Sequence, residues 1–347
     1  MSCSHVPALQ RTASGRRRFL RVREQCSFHV INFVAIAQKL ITWKFEGRGV
    51  ARGAGIAYAR GTISIIPARK KRKEETVHIK QLFIYPVKSC AGIEVKEVPL
   101  GATGPRFDRM FVVVNEAGEA LTQVEHPRLC LVQIRFTGDH VAIQIPGAGK
   151  YYTPLWWSEE TPPGWSEGEG CKITILGDSC RGIGEGDRAA KMFSDFLGEP
   201  CRLVRQVAAY PRIRQSQSLG TSVQLAFTHT RPLNIVAEAS LDDLNRRLDE
   251  PVTMDCFRPN IIIGDAWPYA EDGWKMIAVN RVVMRDGGPC TRCATVAVDQ
   301  ATGITSHEPL RTLAGYRRNP RREVAFGRNF LHINRGVLRV GDALTTS

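Results

Sequence analysis

Short apolar segments and polar turns alternate along most of this chain, starting at Val77. Segments with the composition and spacing of β-strands cover 77–85, 94–100, 110–114, 129–136, 140–145, 171–176, 202–207, 261–263, 276–284, 294–298 and the strand pair 330–340. Pro86 ends the first strand, and Gly, Asn and Asp mark the turns after several others. The Gly-, Pro- and Trp-rich residues 146–170 are expected to form a loop.

Candidate helices are fewer, and they cover 187–197, 240–248 and 308–316. The first two repeat apolar residues at helical spacing. Asp187 is expected to cap the first helix, and Ser240 with Asp243 forms a capping-box pattern at the start of the second. The predicted fold class is therefore β-rich α+β, a largely barrel-like body of strands with a few helices.

The charge is distributed unevenly along the 347 residues, which are enough for roughly two domains. The formal net charge is +14. Residues 1–73 contain 16 Lys and Arg but only Glu24 and Glu46, which gives 16 − 2 = +14. The other 274 residues contain 32 basic and 32 acidic residues. Because the basic excess belongs to the leader, we expect no nucleic-acid partner for the balanced body.

Residues 1–76 are interpreted as a basic leader, either disordered or targeting. The Arg-rich, acid-poor composition is typical of a mitochondrial transit peptide, and equally of a disordered tail or of sequence outside the mature protein. Gln38 and Lys39 interrupt the apolar stretch 28–43, which is short for a membrane span, so membrane association stays open. A cytoplasmic location is favoured, with a mitochondrial location as the alternative if the leader is a targeting segment.

Ten cysteines are scattered along the chain without a regular framework. No secretory signal precedes them, which favours a reducing compartment with mostly free thiols. Cys290 and Cys293 differ from the others because they share a CxxC turn between two predicted strands, after residues 287–289 break the first strand. Arg292 lies between them, and a nearby cation favours a thiolate.

Several interpretations of the CxxC turn remain open from these residues alone. A structural zinc site needs two more ligands, yet the chain has no second CxxC and His307 has no partner histidine three to five residues later. A thioredoxin-like dithiol would precede a helix, whereas the residues after Cys293 have a strand pattern. One sulfur could act as a ligand or nucleophile, or both could be ordinary buried cysteines.

Basic and hydroxyl side chains recur where the predicted strands end. They are Lys88, Ser89, Arg109 and Arg258, in addition to the turn that carries Cys293. Taken singly, Lys88 is typical of a solvated turn and Arg258 of a buried ion pair. Taken together, they suit an anionic cofactor, because Arg provides a fork for phosphate, Lys a point charge and Ser a hydroxyl. A thiolate suits a metal that tolerates sulfur.

Four motifs then carry a family resemblance: 84–90 (IYPVKSC), 257–260 (FRPN), 269–274 (YAEDGW) and 290–293 (CTRC). In order and approximate spacing they resemble the MOSC-domain proteins, and most closely the mitochondrial amidoxime reducing components and their bacterial relatives. The resemblance covers about residues 77–345. It implies an N-terminal MOSC β-barrel domain at 77–200 and a barrel-like MOSC catalytic domain at 201–347.

The resemblance further implies a molybdenum enzyme with a molybdopterin cofactor. Cys293 would be the metal ligand and catalytic residue, with Cys290 as its neighbour. The implied cofactor-binding residues are Lys88, Ser89, Arg109, Thr230 and Arg258. Thr230 matches a family threonine, but Arg231 follows it where the family has serine.

The implied activity is amidoxime-type reduction of a small N-hydroxylated substrate. The chain has no Gly-rich dinucleotide fingerprint and no ferredoxin cysteine cluster, so we expect a separate electron-donor protein, either cytochrome b5-type or a flavin or iron–sulfur reductase. The alternative is a sulfur-carrying or molybdenum-cofactor-binding MOSC module without reductase turnover. In the molybdenum cofactor sulfurases of this fold a separate domain uses pyridoxal phosphate, and no such domain is expected within residues 1–76.

Overall fold

The computed structural model describes residues 55–59, 62–66, 76–155, 170–216 and 220–347. The expectations for most of the leader and for residues 156–169 of the predicted loop lie outside the described residues. The strands in chain order are β1 (Gly55–Ala59), β2 (Thr62–Ile66), β3 (His78–Ile84), β4 (Ile93–Val95), β5 (Glu97–Gly101), β6 (Gly104–Pro105), β7 (Phe111–Asn115), β8 (Gln133–Thr137), β9 (His140–Ile145), β10 (Gly149–Pro154), β11 (Cys171–Ile175), β12 (Asp178–Gly184), β13 (Cys201–Arg205), β14 (Arg212–Ser216), β15 (Thr221–Leu225), β16 (Leu233–Ala237), β17 (Ile261–Gly264), β18 (Met276–Val279), β19 (Val282–Thr291), β20 (Ala325–His332), β21 (Gly336–Arg339) and β22 (Leu344–Thr346). The α-helices are α1 (Asp187–Leu197), α2 (Glu238–Asn245) and α3 (Leu310–Tyr316).

An eight-stranded sheet organises the compact unit Arg72–Ser347, with the strand order β22-β18-β19-β20-β16-β17-β3-β4. Neighbouring strands are antiparallel except for β16 and β17, which run parallel. Buried side chains from this sheet, such as Ile79, Ile235 and Phe330, form one core. A single bridge between His78 and Ala343 joins β3 to the segment before β22. The predicted β-rich α+β class is confirmed, although no strand ladder closes the described sheets into a complete barrel.

A second group of strands forms a four-stranded sheet, β11-β12-β13-β7, and a three-stranded sheet, β10-β9-β8. Helix α1 packs Phe193 and Phe196 into the core of this group. The N-cap of α1 is Gly186 rather than the expected Asp187, and none of the described side chains caps this end of the helix. Gly198 ends the helix with φ 82, a left-handed conformation that glycine adopts without strain.

Strand pairing links the two segments that were predicted as domains. Strands β3 and β4, from the start of 77–200, belong to the large sheet, and β13 pairs with β7 across the predicted boundary at residue 200. The boundary itself stays a prediction. In the described part of the chain, no helix combines the length and the hydropathy needed to cross a membrane.

The predicted capping box of the second helix is wrong. The helix covers Glu238–Asn245 and its N-cap is Ala237, so Ser240 lies inside the first turn. The Ser240 hydroxyl instead donates to the carboxylate of Glu271, at 3.2 Å, and accepts the backbone N–H of Tyr269, at 2.7 Å. A buried partner from a distant segment therefore replaces the local cap that the sequence pattern suggested.

The strand expected at 276–284 is a hairpin of β18 and β19, which turns at Asn280, with φ 52. The sequence analysis predicted that residues 287–289 break the strand, and this prediction is wrong. The strand instead continues to Thr291 with register shifts against β20 on both sides of Gly288. Such shifts are β-bulges, and the φ of 95 at Gly288 allows one here.

Other local differences follow from short-range hydrogen bonding. The predicted strand 294–298 is a 3-10 helix, Ala294–Ala297, because the backbone N–H of Val296 donates to the carbonyl of Cys293. The first part of the predicted strand 129–136 is also a 3-10 helix, Pro127–Leu131. Strand β10 occupies part of the predicted loop 146–170, because it pairs with β9.

Candidate functional site

One cavity, of about 1100 Å³, contains all six residues selected from the sequence. They are Lys88, Ser89, Arg109, Thr230, Arg258 and Cys293. The first three precede residue 200 and the others follow it, so both predicted segments contribute to the cavity lining. The fold thus brings together side chains that are up to 205 positions apart in the sequence, since 293 − 88 = 205.

The backbone presents these side chains from the ends of regular elements. Lys88 and Ser89 follow β3, Arg109 precedes β7, Arg258 ends a 3-10 helix, and Cys293 lies between β19 and the next 3-10 helix. Ser89, Arg109 and Arg258 have φ values of 70, 49 and 52. Residues other than glycine rarely adopt this left-handed conformation, and such strained positions are concentrated at functional sites.

Tyr85 supports two arginines of the cavity, although the sequence analysis did not select it. The guanidinium carbons of Arg109 and Arg258 each lie 4.3 Å from the centroid of its ring. The ring is buried, and its hydroxyl donates to the carbonyl of Pro259 at 3.1 Å. Arg109 is also paired with the Asp108 carboxylate, at 2.5 Å. Tyr85 lies in the first family motif, 84–90, and this was the one sequence feature that could have pointed to it.

Two buried polar groups in the cavity have no hydrogen-bond partner among the described residues: Nη2 of Arg258 and Oγ1 of Thr228. Burial, together with the nearby positive charge of Arg109, lowers the pKa of Arg258 to about 10. Buried polar groups are nearly always hydrogen-bonded, so an unpaired donor that lines a cavity suggests a ligand with acceptor atoms.

Lys88 and His229 have unusual protonation behaviour. Burial lowers the pKa of Lys88 to about 7, and the positive charge of Arg109 acts in the same direction. Loss of hydration lowers the pKa of His229 to about 4, and Lys88 contributes to that shift. The His229 imidazole is therefore neutral at pH 7. The sequence analysis did not select His229, whose only sequence signal is that it is adjacent to Thr230.

The two cysteines of the CxxC turn differ in accessibility. Cys293 is exposed within the cavity lining, and its thiol lies 3.3 Å from Oγ1 of Thr295. Cys290 is half-buried, and burial raises the pKa of its thiol. Cys293 is therefore the more accessible sulfur for a ligand.

Arg292 connects parts of the scaffold, and its positive charge also favours the thiolate of Cys290, as expected for a cation beside the cysteines. Its guanidinium donates to the carbonyls of Phe326 and Phe257, at 2.8 and 2.6 Å, and to Oδ1 of Asn234, at 3.0 Å. These bonds connect the end of β19 to β20, to β16 and to the segment that carries Arg258. Arg292 is a scaffold residue, and no hydrogen bond from it to Cys293 is found in the described residues.

The geometry does not support the zinc-site or the thioredoxin-like interpretation of the CxxC turn. Across the described ranges, no group of three or more His, Cys, Asp or Glu side chains is placed to hold a metal ion. Cys293 precedes a four-residue 3-10 helix rather than an α-helix, which does not match a thioredoxin-like dithiol. The eight described cysteines are all free, in agreement with the expected free thiols.

The lining of the cavity is strongly cationic. Its only carboxylates among the described residues are Glu125 and Glu323. Its basic side chains are Lys88, Arg109, Arg231, Arg258, Arg292, Arg311, Arg318 and Arg322. Arg231, at the position where serine was expected, donates to the carbonyl of Gly287 at 3.2 Å. Such a site can bind an anionic ligand and place it beside an accessible thiol.

Comparison with known proteins gives matches to two family models and to several relatives. Residues 76–200 match the MOSC N-terminal beta barrel domain, and residues 222–345 match the MOSC domain. The chain is 35% identical over 317 residues to mitochondrial amidoxime-reducing component 1 of Mus musculus, covering 85% of this chain and 90% of that protein. It is 33% identical over 331 residues to the Homo sapiens protein of the same name, covering 89% and 95%. A molybdenum cofactor sulfurase of Danio rerio is 31% identical over 278 residues, covering 76% of this chain and 33% of the sulfurase.

These matches extend over most of the chain and include the segments that build the cavity. The chain belongs to the MOSC-domain family that includes the mitochondrial amidoxime-reducing components.

Proposed function

We propose that this protein is a molybdenum-cofactor-dependent oxidoreductase that reduces small N-hydroxylated compounds such as amidoximes. The observation that carries the proposal is that an accessible thiol, Cys293, and the buried, unpaired Nη2 of Arg258 line the same cationic cavity. The names of the relatives at 33–35% identity support the choice of reaction.

The residues present fit an anionic molybdopterin cofactor. The free Nη2 of Arg258 offers a donor to a phosphate or pterin acceptor, and Lys88, Ser89, Arg109 and Thr230 supply further donors around it. The Cys293 thiolate would be the protein ligand of molybdenum, because a soft sulfur ligand suits this kind of metal site. In this proposal both segments, 77–200 and 201–347, hold the cofactor.

The cofactor, when bound, supplies the two-electron chemistry, and the chain supplies binding, orientation and electrostatics. Reduction of an amidoxime consumes two electrons and two protons, breaks the N–O bond, and releases an amidine and water. Lys88 becomes protonated beside an anion, because the negative charge raises its lowered pKa again. Tyr85 keeps Arg109 and Arg258 in place through the two cation–π contacts.

The cavity also offers a surface for the carbon skeleton of the substrate. Val124 and Leu176 line it, and each is 47% exposed. Exposed apolar side chains at an otherwise cationic site suit a substrate with an apolar body and a small polar reacting group. The electrons come from a separate donor protein, of the cytochrome b5 type or a flavin or iron–sulfur reductase.

The decisive experiment compares the parent protein with Cys293→Ala and with Cys290→Ala as the matched control, all produced in a host that makes the cofactor. Metal analysis and pterin fluorescence are followed by amidoxime turnover with a reduced viologen. We expect near-stoichiometric molybdenum and pterin in the parent and in Cys290→Ala. The Cys293→Ala variant should lose turnover by more than about 100-fold, because second-row metal chemistry depends on the ligand set. A parent without molybdenum and pterin would disprove the proposal.

A sulfur-carrying or cofactor-binding module without turnover is the second candidate, favoured by the match to the Danio rerio sulfurase. Two outcomes would select it: a cofactor-loaded parent that does not turn over any N-hydroxylated compound, or a persulfide on Cys293 detected by mass spectrometry.

The proposed location is the cytoplasm, with the mitochondrion as the alternative that the names of the relatives favour. A fluorescent protein that carries residues 1–73 at its N-terminus separates the two. Diffuse fluorescence supports the cytoplasm, and co-localisation with a mitochondrial dye supports targeting by the leader.

A further inference from the structure

Two glutamines behind the cavity wall, Gln123 and Gln300, contact each other although 177 positions separate them in the sequence. Nε2 of Gln123 donates to Oε1 of Gln300 at 3.1 Å, and Nε2 of Gln300 donates to Oε1 of Gln123, also at 3.1 Å. We call this reciprocal contact the glutamine pair. Gln123 is fully buried, and neither glutamine is among the described residues that line the cavity. Any effect of the pair on a bound molecule therefore acts through the residues that the pair holds.

One end of the glutamine pair holds the turn that carries Lys88 and Ser89. Nε2 of Gln123 also donates to the backbone carbonyl of Ser89, at 2.6 Å. Ser89 is buried with φ 70, and its hydroxyl donates to the carbonyl of Leu121 at 3.4 Å. A residue other than glycine keeps such a left-handed conformation only where its surroundings hold it. Removal of the Gln123 amide therefore releases a restraint on the backbone of Ser89.

The other end of the glutamine pair holds the segment that begins at Cys293. Nε2 of Gln300 donates to the carbonyl of Val298 at 3.0 Å. Cys293 is the N-cap and Val298 the C-cap of the 3-10 helix Ala294–Ala297. Four hydrogen bonds through two side chains thus connect the Ser89 carbonyl to the short helix that follows the accessible thiol.

This connection is made by side chains rather than by a strand ladder. In the described part of the chain, no backbone hydrogen bond joins residues 87–91 directly to residues 290–300. Both amides are neutral, so the pair fixes the two segments without adding charge beside a bound anion. A pair of amides with every donor and acceptor engaged also has one preferred orientation.

From these contacts we infer that Gln123 and Gln300 are positioning residues, which set the separation between the turn at Lys88 and Ser89 and the thiol of Cys293. The consequence for cofactor retention rests on the proposed function. A cofactor that reaches from a basic turn to a sulfur ligand is held at both ends only while the distance between the two protein segments is fixed. When this distance varies, one end can leave its binding groups while the other is still bound.

The test uses the full chain with Gln123→Met, with Gln300→Met and with both substitutions. Methionine has a similar length to glutamine and removes the amide. The control is Asn245→Leu, which removes an amide that makes two hydrogen bonds with the backbone of Val252, each at 3.0 Å, outside the cavity lining. Urea unfolding compares the stability of all variants, so that a general loss of stability is separated from an effect on the cavity.

Two measurements follow on each variant. Hydrogen exchange of the backbone amides in residues 87–91 and 294–300 is measured in cofactor-free protein, from a host that does not make the cofactor. The rate at which molybdenum and pterin leave the loaded protein is measured by repeated gel filtration. Neither measurement depends on turnover.

We expect either methionine variant to exchange faster than the parent in both segments, and to release molybdenum and pterin about tenfold faster. The double variant should release them no faster than the faster single variant, because either substitution already interrupts the connection. The control should match the parent in both measurements. A methionine variant that is as stable as the control but is isolated without pterin would support the inference as well.

Three outcomes would overturn the positioning role and leave the proposed function intact. They are unchanged exchange in both segments, release at the rate of the control, and a double variant whose release rate is the product of the two single effects. A parent without molybdenum and pterin would remove the proposed function, and the positioning role with it.

Discussion

Lys88 carries a testable protonation state at the scale of a single residue. With its pKa lowered to about 7 by burial, the side chain is roughly 90% neutral at pH 8, whereas an ordinary exposed lysine is below about 1% neutral. In the cofactor-free protein, acetic anhydride at pH 8 should therefore modify Lys88 faster than exposed lysines, as measured by peptide mass mapping.

The same labelling should fall as the pH drops through 7, because protonation removes the nucleophilic lone pair. It should also fall in the cofactor-loaded protein, in which an anion restores the charged form. Labelling of Lys88 at the same rate as the exposed lysines would contradict the lowered pKa.

Tyr85 has two separable functions, a hydrogen bond from its hydroxyl and an aromatic face for two guanidinium groups. Tyr85→Phe keeps the ring and should reduce the free energy of unfolding by about 1 kcal/mol. Tyr85→Leu removes the face as well and should cost about 2–4 kcal/mol in total, since each cation–π contact contributes about 0.5–2 kcal/mol. Urea unfolding measures both, and pterin content should decrease only in Tyr85→Leu. An equal decrease in the free energy of unfolding in both variants would show that the aromatic face of Tyr85 does not stabilise the two arginines.

At the scale of elements, Arg292 joins strands and loops that carry the site. Replacing it by alanine removes three hydrogen bonds from a charged donor and should reduce the free energy of unfolding by roughly 3 kcal/mol. Arg292→Lys should recover only part of this, because an ammonium lacks the planar fork. Urea unfolding, with the exposed Arg281→Ala as the control, measures the effect. If Arg292→Ala lost metal without losing stability, Arg292 would act on the thiolate rather than on the scaffold.

Glu271 stabilises the start of helix α2 and makes that element sensitive to pH. Its carboxylate accepts the N–H of Ala237 at 3.3 Å and the hydroxyl of Ser240, and burial raises its pKa to about 7. Between pH 4.5 and 7 the folded protein keeps a proton on Glu271 that the unfolded chain has released. The contribution of this protonation to the free energy of unfolding is therefore greatest below pH 4.5, and it is lost as pH rises through 7.

A Glu271→Gln variant removes the titration and nearly preserves the shape. The difference in unfolding free energy between parent and variant should therefore change by up to about 3 kcal/mol between pH 4.5 and 7.5, with the parent losing stability as pH rises. Guanidinium unfolding at several pH values measures this difference. A difference independent of pH would show that Glu271 does not titrate in this range.

Sequence patterns predicted the elements that depend on near neighbours. Strand β9 (His140–Ile145) and helix α1 (Asp187–Leu197) were predicted with their observed bounds, because each shows its own period of apolar residues. The sequence patterns gave wrong predictions where contacts with residues distant in the sequence determine the local structure. Pairing with β20 extends β19 beyond Gly288, and Glu271, 31 positions away, draws Ser240 from its expected capping role.

The same distinction applies to the candidate site on the scale of the whole molecule. The motif resemblance selected residues that the fold brings into one cavity. It did not select Tyr85 or His229, whose importance comes from neighbours in space. Arg292 was expected as a cation beside the thiols, but its three hydrogen bonds to distant segments were not predicted. Residue type and spacing identify candidates, whereas the direction of a side chain depends on tertiary contacts.

The charge asymmetry of the chain leads to a prediction for the complete molecule. Residues 1–73 carry a net charge of +14 and the rest carries none. Removing residues 1–73 should abolish retention on a cation exchanger and binding to vesicles with anionic lipids at low salt, because both depend on that charge. The unfolding midpoint, molybdenum content and viologen-driven rate should stay unchanged, because the described residues that line the cavity and form the cores all follow residue 76. A control chain that keeps the leader but replaces its arginines and lysines by glutamine should lose binding equally. If the shortened chain loses stability or activity instead, the leader contributes to the folded body, and its separation from residues 77–347 is wrong.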